Sequence, residues 1–259
     1  MVTIKRFCKL LGPPVLSAIF LLIVWETSVK LLQISEHVLP APSAIWHAAL
    51  EDRQQLGIAT FITIKEGGSG LLLAVVVGIV VAAILYAAPS FNQAVHPLLI
   101  ITQTIPLIAV APLMIIWFGF GIGAKILVVA LYGFFPITIA TMQGLRETPI
   151  DLVNVARTWG CSPLWIGLHI RGRYLLPYFF SGLRIAATYT FGTAAVAEFV
   201  GARNGLGIYI LSAQSSFRTD LVFVGAFTLA IITLILFGAV VGLQQYVNRY
   251  QLFDSAGVS

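Results

Sequence analysis

The sequence predicts an all-α polytopic membrane protein, and three observations carry that expectation. Of 259 residues, 59% are hydrophobic and only 10% charged, with a mean hydropathy of +0.96, far from the composition of a soluble domain. Apolar runs of about 20 residues, the length that crosses a hydrocarbon layer about 30 Å thick, recur along the chain. From Gly67 to Leu145 the one Asp, Glu, Lys or Arg is Lys125, and charge then returns with Arg146, Glu147, Asp151, Arg157, Arg171 and Arg173. A charge inside hydrocarbon costs roughly 2.5–3.5 kcal/mol. The apolar flanks therefore read as membrane, and the island from Arg146 to Arg173 as a loop kept in water.

Six spans follow in order. The apolar run after Lys5, Arg6 and Lys9 is too long for a signal peptide and lacks a small-residue cleavage site, so it reads as a retained first span, Pro14 to Leu32. The others run from Ile58 to Ala88, Pro97 to Gly119, Ile122 to Leu145, Leu175 to Gly201 and Leu221 to Leu243, the last without a charge. With the N-terminus inside, the inner segments hold Lys5, Arg6, Lys9, Arg146, Arg157, Arg171, Arg173 and Arg249, against Arg53, Lys125, Arg203 and Arg218 outside. That excess places both termini and the island in the cytoplasm. Ile34 to Gly57 becomes an outer connection with a short helix after Pro42. No repeat or linker marks a second domain, so residues 1–259 read as one membrane domain with its loop at about 146–173.

The composition argues against a soluble fold. The net charge of +5 is scattered at span ends and fits membrane orientation better than nucleic acid. Cys8 and Cys161 have no metal-ligand spacing and read as free thiols. Gly119 to Ile126 lacks the Gly-Lys-Ser/Thr ending of a phosphate loop. A serine protease at Ser69 would need a histidine from another helix, while small residues that let helices approach explain Gly67, Gly68 and Gly70. No catalytic residue is expected.

Within the island, Pro149 can start a helix over Asp151 to Trp159, Gly160 interrupts it, and Ser162 with Pro163 can begin a second. This pattern fits either a rigid knob for a soluble partner or a solvated loop with helical character. In the third span, Pro97, Pro106 and Pro112 remove backbone hydrogen bonds, and Gln103 and Thr104 sit at the break. These two residues and Pro106 are candidates to line a solute pathway or to repair the broken helix. Glu198 and Arg184 lie about 21 Å apart along the fifth span and cannot pair. Glu198, near the outer end, fits an outer gate or a hydrogen-bonded structural carboxylate, and Arg184 fits snorkelling or holding the inner end of the bundle. Glu26 and Lys30 form a self-neutralising helical pair.

The spacing of Asn154, Val155, Ala156, Gly160 and Ile170 resembles the signature of ABC-importer permeases, Glu-Ala-Ala, Gly, Ile, Leu-Pro. Leu39 to Ser43, Ile105-Pro106 to Leu113, Trp117 to Gly119, Phe135 to Ile137, Gly182 to Arg184 and Gly205 to Gly207 resemble the nitrate, sulfonate and taurine branch in the same order. Two departures stand out: Asn154-Val155 replace Glu-Ala, and Gly172-Arg173 replace Leu-Pro. Asp151, one turn earlier, is the candidate substitute carboxylate. The resemblance implies a type I importer permease fold whose paired coupling helices, with Asp151, Asn154, Val155, Ala156, Gly160 and Ile170, seat in two ABC ATPase subunits. It implies that ATP and Mg are bound by those ATPases, with no cofactor in this chain. A second permease subunit, as a homodimer, and an extracytoplasmic binding protein complete the implied assembly in a bacterial inner membrane. Leu176 to Tyr189 is most similar to permeases for aromatic heterocycles such as thiamine pyrimidine precursors or riboflavin, while sulfonate, taurine and nitrate systems share the framework. An ion-driven secondary transporter is the alternative, and it would require paired repeats and a carboxylate at a midplane break.

Overall fold

The computed structural model describes residues 4–255, with side chains described at residue 13 and over 16–248. Cys8, Lys5, Arg6, Lys9 and Arg249 therefore lie outside the described side chains. Helices α1 (Ile4–Leu31), α2 (Pro42–Glu51), α3 (Arg53–Ala87), α4 (Pro89–Thr104), α5 (Leu107–Phe118) and α6 (Ile122–Arg146) are followed by α7 (Ile150–Thr158) and α8 (Pro163–Ile166). A π-helical segment, Gly167–Arg171, then leads into α9 (Gly172–Gly201), α10 (Leu206–Ser215) and α11 (Thr219–Ser255). The expected all-α class holds among the described residues.

The chain divides into two compact units. The first comprises residues 1–58 and 209–228, the second residues 59–208 and 229–259. In the first unit, Trp25 of α1 lies 5.7 Å and 6.1 Å, centroid to centroid, from Phe223 and Phe227 of α11, over a core of Ile45, Ala48 and Val224. Glu26 does more than neutralise Lys30, which stands 2.6 Å away. It also accepts from Ser43 N–H at 3.0 Å and Ser43 Oγ at 2.7 Å, taking up one of the amides that no residue of α2 can reach at its N-terminus.

In the second unit, α3, α6 and α9 pack through small residues. A Cβ at Gly78 would meet Ile137 Cγ2 at 2.9 Å, and one at Gly182 would meet Pro136 O at 2.6 Å. Leu85, Ile137, Phe180, Ala186 and Ala187 fill the seam. Backbones this close gain dispersion contacts that lipid tails cannot match, which is why small residues mark helix crossings in membranes.

Among the described residues, α3, α6 and α11 are long and apolar enough to cross a membrane, and two bent pairs raise the number to five if each is one span. The expected first span lies within α1 except for Leu32, one residue past its end. The expected third span is not one helix: α4 begins at Pro89 rather than Pro97, and α4 and α5 turn through 100° between Thr104 and Leu107. Ile105 has φ −73° and ψ 125°, the extended conformation that a following proline imposes, whereas Pro97 and Pro112 are carried inside continuing helices. The second island helix is four residues long and runs through the π-helical segment into α9, so the expected separation before Leu175 is absent. Helix α10, bent 57° from α9, lies where the sequence showed only an outer connection.

Candidate functional site

Helix α7 presents two faces. Val153 and Ala156 turn inward onto Ile166, with Cys161 and Ile170 packed beside them. Asp151, Asn154 and Val155 face outward. Ile150, Trp159 (83% exposed) and Leu164 (73% exposed) extend that outer surface. Asp151 in the first turn and Arg157 in the last lie at the helix ends where their charges complement the helix dipole.

The turn closes by a Schellman arrangement. Cys161 N–H donates to Ala156 O and Gly160 N–H to Arg157 O, each at 3.0 Å, and Gly160 has φ +78°. This geometry places a small inward residue four positions before the left-handed glycine, which is the Ala156-to-Gly160 spacing read from the sequence. Ser162 Oγ accepts from Trp165 N–H at 3.2 Å and caps the second helix. Of the six expected coupling residues, Ala156 and Ile170 build the inside of the knob, Gly160 its turn, and Asp151, Asn154 and Val155 its exposed face. Arg171, after the knob, lies 4.9 Å from the centre of the Tyr86 ring at the end of α3.

The structure places Gln103, Thr104 and Pro106 at the α4–α5 break. Thr104 Oγ1 donates to Ile101 O at 2.8 Å, and the hydroxyl of Tyr132 in α6 donates to Ile105 O at 2.7 Å, satisfying a carbonyl that the broken helix leaves free. Gln103 Nε2 is closed from solvent and has no acceptor among the described residues.

Glu198 is fully buried near the far end of α9. Its carboxylate accepts from Thr63 Oγ1 at 2.7 Å and from Gly207 N–H at 2.5 Å, and Thr63 Oγ1 in turn accepts from Leu206 N–H at 2.8 Å. One turn beyond Thr63 on α3, Glu66 bonds the Lys125 ammonium at 2.6 Å, both side chains being almost wholly buried. The Glu66 carboxyl also lies beside that of Glu198. This network joins α3, α6, α9 and the start of α10. It does not bring Glu198 together with the expected pathway residues Gln103, Thr104 and Pro106.

Two sequence expectations change here. Lys125 is a buried ion-pair partner rather than an outer loop cation, and Thr63 and Glu66 are members that the sequence reading missed. The available signal was Glu66, the one acid of the second expected span, and Lys125, the one charge between Gly67 and Leu145, since opposite charges inside membranes pair with each other. Among the described residues no group of His, Cys, Asp and Glu is placed to hold a metal.

The family model of the binding-protein-dependent transport system inner membrane component matches residues 74–250. A probable ABC transporter permease protein of Haemophilus influenzae is 35% identical over 86% of this chain and 91% of its own length. The formylaminopyrimidine transport permease protein ThiX of Halalkalibacterium halodurans is 32% identical over 88% of this chain and 91% of its own length. The riboflavin transport system permease protein RibX of Chloroflexus aurantiacus is 34% identical over 88% and 85%. An inward-facing structure of the MetNI methionine ABC transporter superposes with a TM-score of 0.66 over 75% of this chain and 97% of that one, at 20% identity, a likeness of fold.

Proposed function

We propose, for a chain that belongs to the family of binding-protein-dependent transport system inner membrane components, a solute of the aromatic heterocycle class, such as a thiamine pyrimidine precursor or riboflavin. The chain is a membrane permease subunit of an ABC importer for a small solute, and ATP hydrolysis belongs to a separate partner chain. The heterocycle reading is supported by the similarity to ThiX and RibX along most of this chain. Taurine, aliphatic sulfonate and nitrate permeases are also among its relatives and form the second solute class.

The observation that carries the mechanism is the knob. Its inner face is a small packed core and its turn is fixed by hydrogen bonds, so a push on its exposed apolar face moves the stiff element as a whole. In this reading two ATPases bind ATP and Mg, each seats one knob from a homodimer of this chain, and their closure drives the spans through α9. Asp151, Asn154, Val155, Ala156, Gly160 and Ile170 form the coupling element, and both termini lie with it in the cytoplasm of a bacterial inner membrane. An extracytoplasmic binding protein delivers the solute. Gln103, Thr104 and Pro106 line the pathway, a role supported by the free Gln103 donor at the break, and Glu198 holds the outer end shut.

Purification of the chain from native membranes with identification of co-purifying chains tests this directly. An ATPase and a binding protein loaded with a heterocycle are expected. A binding protein loaded with taurine or nitrate selects the second solute class, and isolation of the chain with neither partner contradicts the assembly.

A further inference from the structure

Arg184 stands near the middle of α9, about 18 Å along the helix from Gly172 and about 26 Å from Gly201. An arginine at such depth is costly unless it meets a partner or a polar cavity. Its Nε is closed from solvent and has no acceptor among the described residues. The side chain borders a cavity of about 220 Å³ lined by Ser181, Arg184, Ile185 and Thr188 of α9 and Phe237 of α11. Thr188 Oγ1 already donates to Arg184 O at 2.9 Å, so its hydroxyl is a wall rather than a donor toward the cavity. Ser181 and the guanidinium remain as the donors facing it.

No carboxylate among the described residues stands beside it as a counter-charge. Among the described residues the buried acids are Glu66 and Glu198, and Lys125, Thr63 and Gly207 already engage them. Glu26 is held by Lys30 and Ser43, and Asp220 by Arg218. A second copy brings the same set and no additional acid for this depth. Lipid phosphates lie at the membrane surfaces, away from the middle of a 30-residue helix. Its Nε is enclosed, and the rest of the Arg184 side chain borders the open pocket.

We propose that Arg184 and Ser181 form an intramembrane station for an anionic group, a carboxylate, sulfonate or phosphate, carried by the transported solute. This rests on the importer reading and narrows it: the solute bears an anionic group, so an uncharged heterocycle such as riboflavin falls outside it. The guanidinium supplies a planar fork of charge-assisted hydrogen bonds that such a group matches, and Ser181 adds one neutral donor.

The test uses the chain assembled with its ATPase in phosphatidylcholine nanodiscs, titrated calorimetrically with sodium methanesulfonate and, as a neutral control, methanesulfonamide. Saturable methanesulfonate binding is expected to weaken at least about 10-fold in Arg184→Gln and about 3-fold in Ser181→Ala, with Arg184→Lys between native and Arg184→Gln because an ammonium keeps the charge but loses the fork. Methanesulfonamide should not bind. Equal anion affinity in Arg184→Gln, absence of saturable binding to the native assembly, or equal binding of the sulfonamide overturns the proposal. Loss of the signal when phosphatidylglycerol is added assigns the anion to a lipid headgroup and overturns it as well. If Arg184→Gln does not assemble, unchanged affinity in Ser181→Ala is the overturning result. Binding-protein-stimulated ATP hydrolysis is read on the same samples. A native assembly without stimulation sinks the importer reading itself, whereas stimulated hydrolysis with anion binding indifferent to Arg184 sinks the anion station alone.

Discussion

Thr63, Glu66, Lys125 and Glu198 are polar or charged side chains hidden from solvent, whereas Ile150, Val155, Trp159 and Leu164 on the paired short helices are apolar side chains left open. The first group bonds within itself: its ammonium meets Oε1 of Glu66, whose Oε2 is left without a donor among the described residues, and Glu198 and Thr63 hold backbone amides that the turn into α10 leaves free. The second group has buried only its inner face, on Val153, Ala156 and Ile166. Buried charge is tolerated when partners are exact in number and geometry, and exposed apolar surface of this kind marks contact with another molecule. The difference separates a region that holds the chain to itself from one whose apolar face stays open.

The largest effect is expected at the buried pair. Glu66→Leu leaves Lys125 buried and unpaired and should lower stability by about 3–5 kcal/mol in denaturation of the purified protein, whereas Glu66→Leu combined with Lys125→Met should recover most of it. A single variant as stable as the native chain would break the comparison from the inner side. On the knob, Trp159→Ala should leave stability within about 0.5 kcal/mol. Its expected cost is in ATPase affinity, by about 2 kcal/mol or roughly 30-fold, measured by equilibrium binding. Undiminished affinity would show that the open face is not the contact.

Gly160→Val is the next step down. A β-branched residue at φ +78° costs about 1–2 kcal/mol locally, and the distorted turn should reduce solute transported per ATP hydrolysed while the ATPase stays bound. A normal transport ratio in reconstituted vesicles would remove the turn from the mechanism. Ser162→Ala is the mildest change. Loss of this cap should cost about 1 kcal/mol locally and hasten hydrogen exchange at the Trp165 amide, with global stability nearly unchanged.

Helix placement was largely legible because hydrocarbon rejects charge, so long apolar runs can do little but span. The knob was legible for a local reason: Pro149, Gly160, Ser162 and Pro163 act through backbone preferences that operate over a few residues. The break at Pro106 was only half legible. Pro97, Pro106 and Pro112 read alike in one dimension, yet only around Pro106 does the chain leave the helical conformation, at Ile105 and Pro106, and the Tyr132 hydroxyl of α6 donates to the Ile105 carbonyl. Thr63 and Glu66 stayed hidden because their roles depend on residues 135 and 59 positions away in sequence.

The sequence by itself determined that this chain is a helical membrane protein with a paired-helix knob turning at Gly160, since hydropathy, proline and glycine act on their immediate surroundings; the permease role came from the resemblance of its motifs. Only the tertiary structure decided that Lys125 serves Glu66, that Glu198 holds the start of α10, that Ala156 faces inward, and that Arg184 borders a cavity without an acceptor. Those assignments depend on which helices meet and at what height, and that is set by packing between distant segments rather than by the preferences of any one of them.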